Sequence, residues 1–143
     1  MTHSNPECLF CKIAGKKISA LVVYENDNTL AFLDIHPRAP GHVLVIPKYH
    51  AGKLTNLPDS EVGPLFAAVK TVAQMLDGAL TPDGLTIGIN QGEASGQEVD
   101  HLHIHLLPRF LSDGGGSFQS IVHNVPEETI EEIAKKIKSA SSK

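Results

Sequence analysis

The chain has 143 residues, 41% hydrophobic and 20% charged, with no tryptophan and a formal net charge of −4. That length suits one domain, residues 1–143, with a mostly aliphatic core. The negative balance argues against a nucleic-acid partner, which calls for a basic patch or stripe, and no apolar run approaches the ~20 residues needed to span a bilayer, so no membrane partner is expected. The start, Met1-Thr2-His3-Ser4-Asn5-Pro6-Glu7, has neither a basic opening nor an apolar stretch. No signal peptide is expected there, and the cytoplasm is the expected location.

Cys8 and Cys11 form a CxxC. In a reducing compartment that spacing reads as metal-binding or redox before it reads as a structural disulfide. Leu9 to Ala14 suits a short helical turn ended by Gly15. Leu21–Glu25 and Thr29–Leu33 read as strands, joined by the turn chemistry of Asn26-Asp27-Asn28 into a hairpin. Asp34 to Gly41 is a loop held by Pro37 and Pro40. His42–Ile46 is a third strand, stopped by Pro47. Pro58-Asp59-Ser60 opens a helix in which Val62, Leu65, Phe66, Val69, Val72, Ala73 and Leu76 recur at helical spacing, with Gly78 near its end.

Leu85–Asn90 is a fourth strand, followed by the polar, small-residue loop Gln91–Gln97. His101–Pro108 is a fifth. Gly114-Gly115-Gly116 is a flexible turn or mobile loop. Pro126 opens a final helix with Ile130, Ile133, Ala134 and Ile137 on a core-facing side. Its glutamates come early and its lysines late, which suits the helix dipole, and Glu131–Lys135 and Glu132–Lys136 are favourable four-apart pairs. Ser139 to Lys143 is expected to fray. Five strands and two longer helices, clustered rather than alternating, predict an α+β fold: a mainly antiparallel five-stranded sheet packed with one long helix and a C-terminal helix.

The most informative segment is His101-Leu102-His103-Ile104-His105-Leu106-Leu107. On a strand, alternate side chains point the same way. Three imidazoles would then share one face, while Leu102, Ile104 and Leu106 enter the core. Imidazoles in a row do little for stability, so the pattern asks for chemistry: nucleophilic attack on phosphorus or metal ligation. The surroundings favour phosphorus. Gly92, Ala94, Ser95 and Gly96 allow a backbone to approach a ligand closely, Asn90 and Gln97 offer neutral donors for phosphate oxygens, and no carboxylate pair stands ready for a catalytic divalent ion.

The chain resembles the histidine triad family, in the branch of small bacterial proteins related to the Hint phosphoramidases. Residues 101–107 match the family's alternation of histidine and apolar residues in full. The match extends to Gly96-Gln97, Leu107-Pro108-Arg109, Gly41–Lys48 with His50, Ala31–Ile35 and Cys8–Ile13. It covers a core of roughly residues 8–110, leaving 111–143 as a C-terminal extension. The resemblance implies a nucleotide hydrolase or transferase acting at the α-phosphorus of adenosine, or more broadly purine, nucleotide conjugates. His103 is the implied nucleophile, forming a covalent nucleotidyl-histidine. His105 would donate to phosphate oxygens or the leaving group, and His42 would orient the triad. Gln97 and Asn90 would hold α-phosphate oxygens, Asp34 would accept from the ribose hydroxyls, Ile35 would lie beside sugar and base, and Phe10 and Ile13 would wall the base pocket.

The same resemblance implies a structural zinc on Cys8, Cys11, His50 and His101, the first triad histidine serving the metal rather than the substrate, with no catalytic metal required. It also implies a homodimer paired through the long helix and an adjoining strand. Many relatives carry a hydroxyl residue after the glutamine; here it is Glu98, whose charge would repel a polyphosphate leaving group and favour adenylated amines or acyl groups. A dinucleoside polyphosphate hydrolase of the fragile-triad type is the alternative enzyme. A nucleotide-binding or scaffold protein without catalysis is the alternative of another class. A nucleic-acid deadenylation module such as aprataxin's is disfavoured by the lack of a basic extension. His36 and His123 receive no role, and Lys48 reads as a solvated strand-end charge.

Overall fold

A computed structural model describes residues 3–140. The elements run α1 (Leu9–Ala14), β1 (Val22–Glu25), β2 (Thr29–Leu33), β3 (Val43–Pro47), α2 (Asp59–Leu80), β4 (Gly84–Gly88), β5 (Ile104–Arg109) and α3 (Ile130–Ala140). The five strands form one antiparallel sheet in the order β1-β2-β3-β5-β4. The architecture is therefore the expected α+β one.

Period-two alternation splits the strand residues between two cores. Ala31, Val43, Val45, Ile104 and Leu106 face α2, meeting Leu65, Ala68, Val69, Val72 and Leu76. Leu30, Phe32, Leu44 and Ile46 point the other way, toward Cys8, Phe10, Cys11 and Ile13 of the α1 segment. Phe66, counted among the apolar positions of α2, turns outward and is half-exposed. Burying these aliphatic faces is the main favourable term, and it fixes register, because a one-residue slip would exchange the two faces.

Several boundaries differ from expectation. β4 ends at Gly88, so Ile89 and Asn90 leave the ladder. β3 runs through Val43–Pro47 rather than His42–Ile46. β5 begins at Ile104, three residues later than expected. Its pairing with β3 stops at Val45↔Ile104. Earlier, Leu102 N–H donates instead to Ala51 O at 2.7 Å, and the carbonyl of Pro47 accepts from the His101 ring at 2.8 Å. A side chain thus takes the place of a ladder bond where the chain peels from β3. The alternation survives the departure: Leu102, Ile104 and Leu106 are all buried in the α2-facing core.

The final helix departs most. It starts at Ile130, where Thr129 and Glu132 form a reciprocal capping box: Glu132 N–H donates to Thr129 Oγ1 at 3.1 Å and Thr129 N–H to Glu132 Oε1 at 2.9 Å. Its apolar side is not in the core; Ile130 is 75% exposed and Ile137 65%. Lys136 pairs with Glu128. Periodicity reports a side fit for burial, but not whether the rest of the chain supplies a surface to meet it. Of the residues expected to fray, Ser139 and Ala140 are the last of α3, with Ser139 Oγ donating to Lys135 O at 2.8 Å, and residues 141–143 lie outside the described ones, as does the start of the N-terminal segment.

Candidate active site and metal centre

The face of the sheet opposite α2 carries a cleft of about 950 Å³, a size suited to a nucleotide. Its lining includes His42, His103 and His105, with Phe10, Ile13, Asp34, Ile35 and Asn90. The histidines come from two adjacent strands and their approaches. His105 lies directly opposite Leu44 of β3 and Gly88 of β4. His42 enters β3 from the 34–41 loop, and Phe10 of α1 sets its ring edge-on to His103 at a centroid separation of 5.1 Å.

Hydrogen bonds fix where each imidazole proton sits. A carbonyl can only accept, so the 2.6 Å contact between His103 Nδ1 and His101 O places the proton on Nδ1. The lone pair of His103 is then on Nε2, the nucleophilic position. A second chain starts at the backbone of Arg38, whose N–H donates to His42 Nδ1 at 3.1 Å. In the neutral ring the proton of His42 is consequently on Nε2, which faces His105 Nδ1 at 3.0 Å. His105 Nδ1 accepts, and its own proton is on Nε2. That atom is buried and has no partner among the described residues. An orphaned N–H in a cleft is a donor waiting for a ligand acceptor.

Burial favours the neutral forms of His42 and His105. Desolvation is the largest cause holding His105 at about 4, and the neighbouring His103 and His42 add to it. His42 is also lowered, mainly by burial, against a pull upward from Asp34. Asp34 Oδ2 stands 3.6 Å from His42 Nε2, while its Oδ1 accepts from His36 N–H at 2.8 Å.

The expectation for Gln97 meets a constraint. Its Nε2 donates to Gly52 O at 2.8 Å and Val99 O at 3.0 Å. Its Oε1 accepts from Gly92 N–H at 2.8 Å. Both amide hydrogens are therefore spent on carbonyls, and the amide cannot be flipped without opposing like groups. Gln97 braces the 92–97 loop, and as arranged it has no N–H left for a phosphate. Asn90 is half-buried on the cleft wall. Phe10 and Ile13 are buried wall residues, and Ile35 is 83% exposed at the rim.

Sequence reasoning missed three participants. Two are backbone groups, Arg38 N–H and Pro47 O, which no residue type could announce. The third is the segment Gly116–Ile121, of which only Gly116 had a reading, as the end of a flexible turn or mobile loop; Gly116, Ser117, Phe118 and Ile121 line the cleft.

Behind His103, the ligand atoms of Cys8, Cys11, His50 and His101 lie within 4.8 Å of one another. His101 Nε2 donates to Pro47 O, so its Nδ1 presents a lone pair to the cluster. Around that Nδ1 are Cys8 Sγ at 3.4 Å, Cys11 Sγ at 3.6 Å and His50 Nδ1 at 3.2 Å; Cys11 Sγ is 3.4 Å from His50 Nδ1. A tetrahedron with zinc–sulfur and zinc–nitrogen bonds of ordinary length has edges of about 3.3–3.8 Å. These four residues could therefore hold a metal. Burial pushes the Cys8 thiol up, a shift that a cation reverses by stabilising the thiolate. A second convergence, Asp34 with His42 and His105, does not fit a metal as arranged, because His42 Nε2 carries the proton that its bond from Arg38 dictates.

Residues 15–111 match the HIT domain family, and the chain belongs to that family. The adenosine 5′-monophosphoramidase of Candida albicans is 40% identical over 110 residues, covering 74% of this chain and 72% of that protein. The crystal structure of a HIT family member from Bacillus subtilis superposes with a TM-score of 0.83 at 34% identity, covering 96% of each chain. A zinc-bound histidine triad family protein from Mycobacterium smegmatis superposes with a TM-score of 0.71 at 32% identity, covering 94% of this chain and 98% of that one.

The buried histidines make stability pH-dependent. His101 and His105 are both held at about 4 against an ordinary 6.5. A histidine depressed in the folded state contributes stability that is present above its unfolded value and is lost as pH falls toward the folded one. The urea midpoint of the metal-free protein is expected to decline steadily between about pH 6.5 and 4. A midpoint flat across that window contradicts the neutral assignments.

Proposed function

We propose that this chain is a hydrolase that cleaves purine nucleoside monophosphate conjugates, adenosine phosphoramidates foremost, at the α-phosphorus. The observation that carries this reading is the pairing of opposite capacities in one cleft. His103 presents an Nε2 lone pair, with its Nδ1–H anchored on His101 O. Beside it, His105 presents a buried Nε2–H with nothing to receive it. A nucleophile and an anion donor set side by side suit displacement at a phosphate.

In the first step His103 Nε2 attacks the α-phosphorus. A bond forms between that nitrogen and phosphorus, the bond to the leaving nitrogen breaks, and the departing amine takes up a proton from solvent. His105 Nε2–H donates to a non-bridging oxygen, where negative charge concentrates, and Asn90 supports a second oxygen. In the second step water attacks phosphorus and gives up a proton to solvent, the phosphorus–His103 bond breaks, returning the lone pair to Nε2, and the mononucleotide leaves. Asp34 and Ile35 are assigned to the ribose, and Phe10 and Ile13 to the base. The name of the Candida albicans relative supports the amine as leaving group, as does Glu98 on the cleft wall. The dinucleoside polyphosphate alternative needs a multiply charged leaving group beside that carboxylate.

His103→Ala is expected to lower kcat on an adenosine phosphoramidate roughly 10³-fold or more and to abolish a trapped nucleotidyl adduct in intact-protein mass spectra. His105→Ala is expected to cost on the order of 10²-fold while leaving the adduct detectable. Wild-type turnover matched by His103→Ala rejects the mechanism, and binding without turnover points to the scaffold alternative.

Zinc is the proposed occupant of the Cys8, Cys11, His50 and His101 site; it would cross-link α1 to the approach of β5 and supply no reaction step. Metal analysis should find one zinc per chain, lost in Cys11→Ser together with several degrees of thermal stability. Zinc retained in full by that variant contradicts the ligand set.

A homodimer through α2 and β4 is also proposed. Phe66 and Met75 of α2 and Ile87 of the edge strand β4 are each 42% exposed, the kind of apolar surface that an interface covers. Sedimentation at the mass of two copies is expected, and a single-copy mass rejects it.

A further inference from the structure

The four candidate metal ligands are not held alike. Cys8 caps α1 and Cys11 lies within it. His101 is anchored through its ring, whose Nε2 donates to Pro47 O at 2.8 Å. His50 lies outside every helix and strand. Its Nδ1 faces Cys11 Sγ at 3.4 Å and His101 Nδ1 at 3.2 Å, and among the described residues no group accepts from its Nε2. A metal-bound histidine is ordinarily oriented by such an acceptor. This one is fixed by other means.

The restraint is on its main chain, and one residue supplies it. His50 N–H donates to His3 O at 2.6 Å, and His3 Nδ1–H donates to His50 O at 3.0 Å. A carbonyl can only accept, so the His3 proton is on Nδ1. The two contacts join segments 47 positions apart. They bear directly on the ligand atom, because Nδ1 is two bonds from Cβ and follows the main chain more closely than Nε2 does.

The clamp is itself seated. The His3 ring stacks on Tyr49 with centroids 4.9 Å apart and planes 29° from parallel, and Tyr49 packs against the α2-facing core. Two residues further on, Asn5 N–H donates to Cys11 Sγ at 3.4 Å, and Asn5 O accepts from Cys8 N–H at 3.0 Å. An N–H aimed at sulfur favours the thiolate over the thiol. Residues 3–5 therefore strap two of the four ligands together, one from α1 and one from the segment after β3.

Exposure gives the strap a further consequence. Cys8, Cys11 and His101 are buried, whereas His50 is half-buried. Loss of a bound ion to water or a chelator starts at the least covered ligand. His3 stands beside that ligand, with ring centroids 6.2 Å apart.

We propose that His3 is a positioning residue of the metal centre: it clamps the main chain of His50, orients the Nδ1 ligand and slows release of the ion on the solvent side. This rests on the zinc assignment above and adds to it a residue that is not a ligand.

The test measures zinc affinity by competition with a chromophoric chelator, zinc release into excess chelator, and thermal midpoints of the zinc-loaded and metal-free forms. His3→Ala should speed release about tenfold or more and weaken affinity to match, the range expected when a metal ligand loses its supporting partner. His3→Asn keeps an N–H near the position of Nδ1 and should recover most of the loss. The metal-free midpoint should move far less than the zinc-loaded one. Zinc bound by wild type and released no faster from His3→Ala overturns the clamp and leaves the ligand set standing. Release from His3→Asn as fast as from His3→Ala also overturns it. So does a metal-free midpoint that falls as far as the zinc-loaded one, since His3 would then serve the fold rather than the metal. Wild type that binds no zinc overturns the ligand set, and the clamp with it.

Discussion

His101 is the knot on which the site depends. Three of its groups point three ways. Its Nε2–H closes on Pro47 O and substitutes for a ladder bond at the end of β3. Its Nδ1 faces two thiols and His50. Its backbone carbonyl accepts from His103 Nδ1–H and thereby sets that ring's tautomer. The side chain is fully buried, so none of these groups can turn to water when a partner is lost. A residue of the thiol and imidazole cluster thus orients a ring that faces the cleft, and the two histidines lie only two positions apart in the chain.

The second constraint is the direction of protons through His42 and His105. It begins at a main-chain amide, which can only donate, and it propagates because a neutral imidazole has one donor and one acceptor. The same logic separates two superficially similar clusters. Around His101, lone pairs converge, and a cation is what such a convergence suits. Around His42, a proton occupies the nitrogen that a cation would need. Low local polarity reinforces both outcomes by penalising imidazolium.

Chemistry and stability draw on different faces of the same strands. The residues facing α2 are aliphatic and closely packed, whereas the opposite face carries a smaller core of Leu30, Phe32, Leu44 and Ile46 and, beside it, imidazoles and an open cleft. Residues beyond β5 contribute little to either core: Leu111, Ile121, Val122, Val125, Ile130 and Ile137 are each more than 60% exposed. Of the residues after β5, Gly116, Ser117, Phe118 and Ile121 line the cleft, where Arg109 Nη1 donates to Gly116 O and the Phe118 ring sits against Gly88.

Much of this was legible in the sequence, because it follows from short-range rules. The alternation of residues 101–107 announced which side chains enter the core even though the ladder starts only at Ile104, since extended backbone keeps period two with or without a partner strand. The spacing of α2, the hairpin of β1 and β2, and the set of histidines and cysteines were equally readable, being properties of residue type and position. What only the tertiary structure decided are pairings between main-chain groups and distant side chains. Arg38 N–H, Pro47 O and the carbonyls that engage Gln97 have no signature in residue identity, yet they determine which nitrogen is nucleophilic and which amide is already spent. The sequence likewise determined that residues 130–137 are amphipathic, and the tertiary structure alone decided that they lie outside the core. Amphipathicity is a property of one segment, whereas burial requires a second surface in reach.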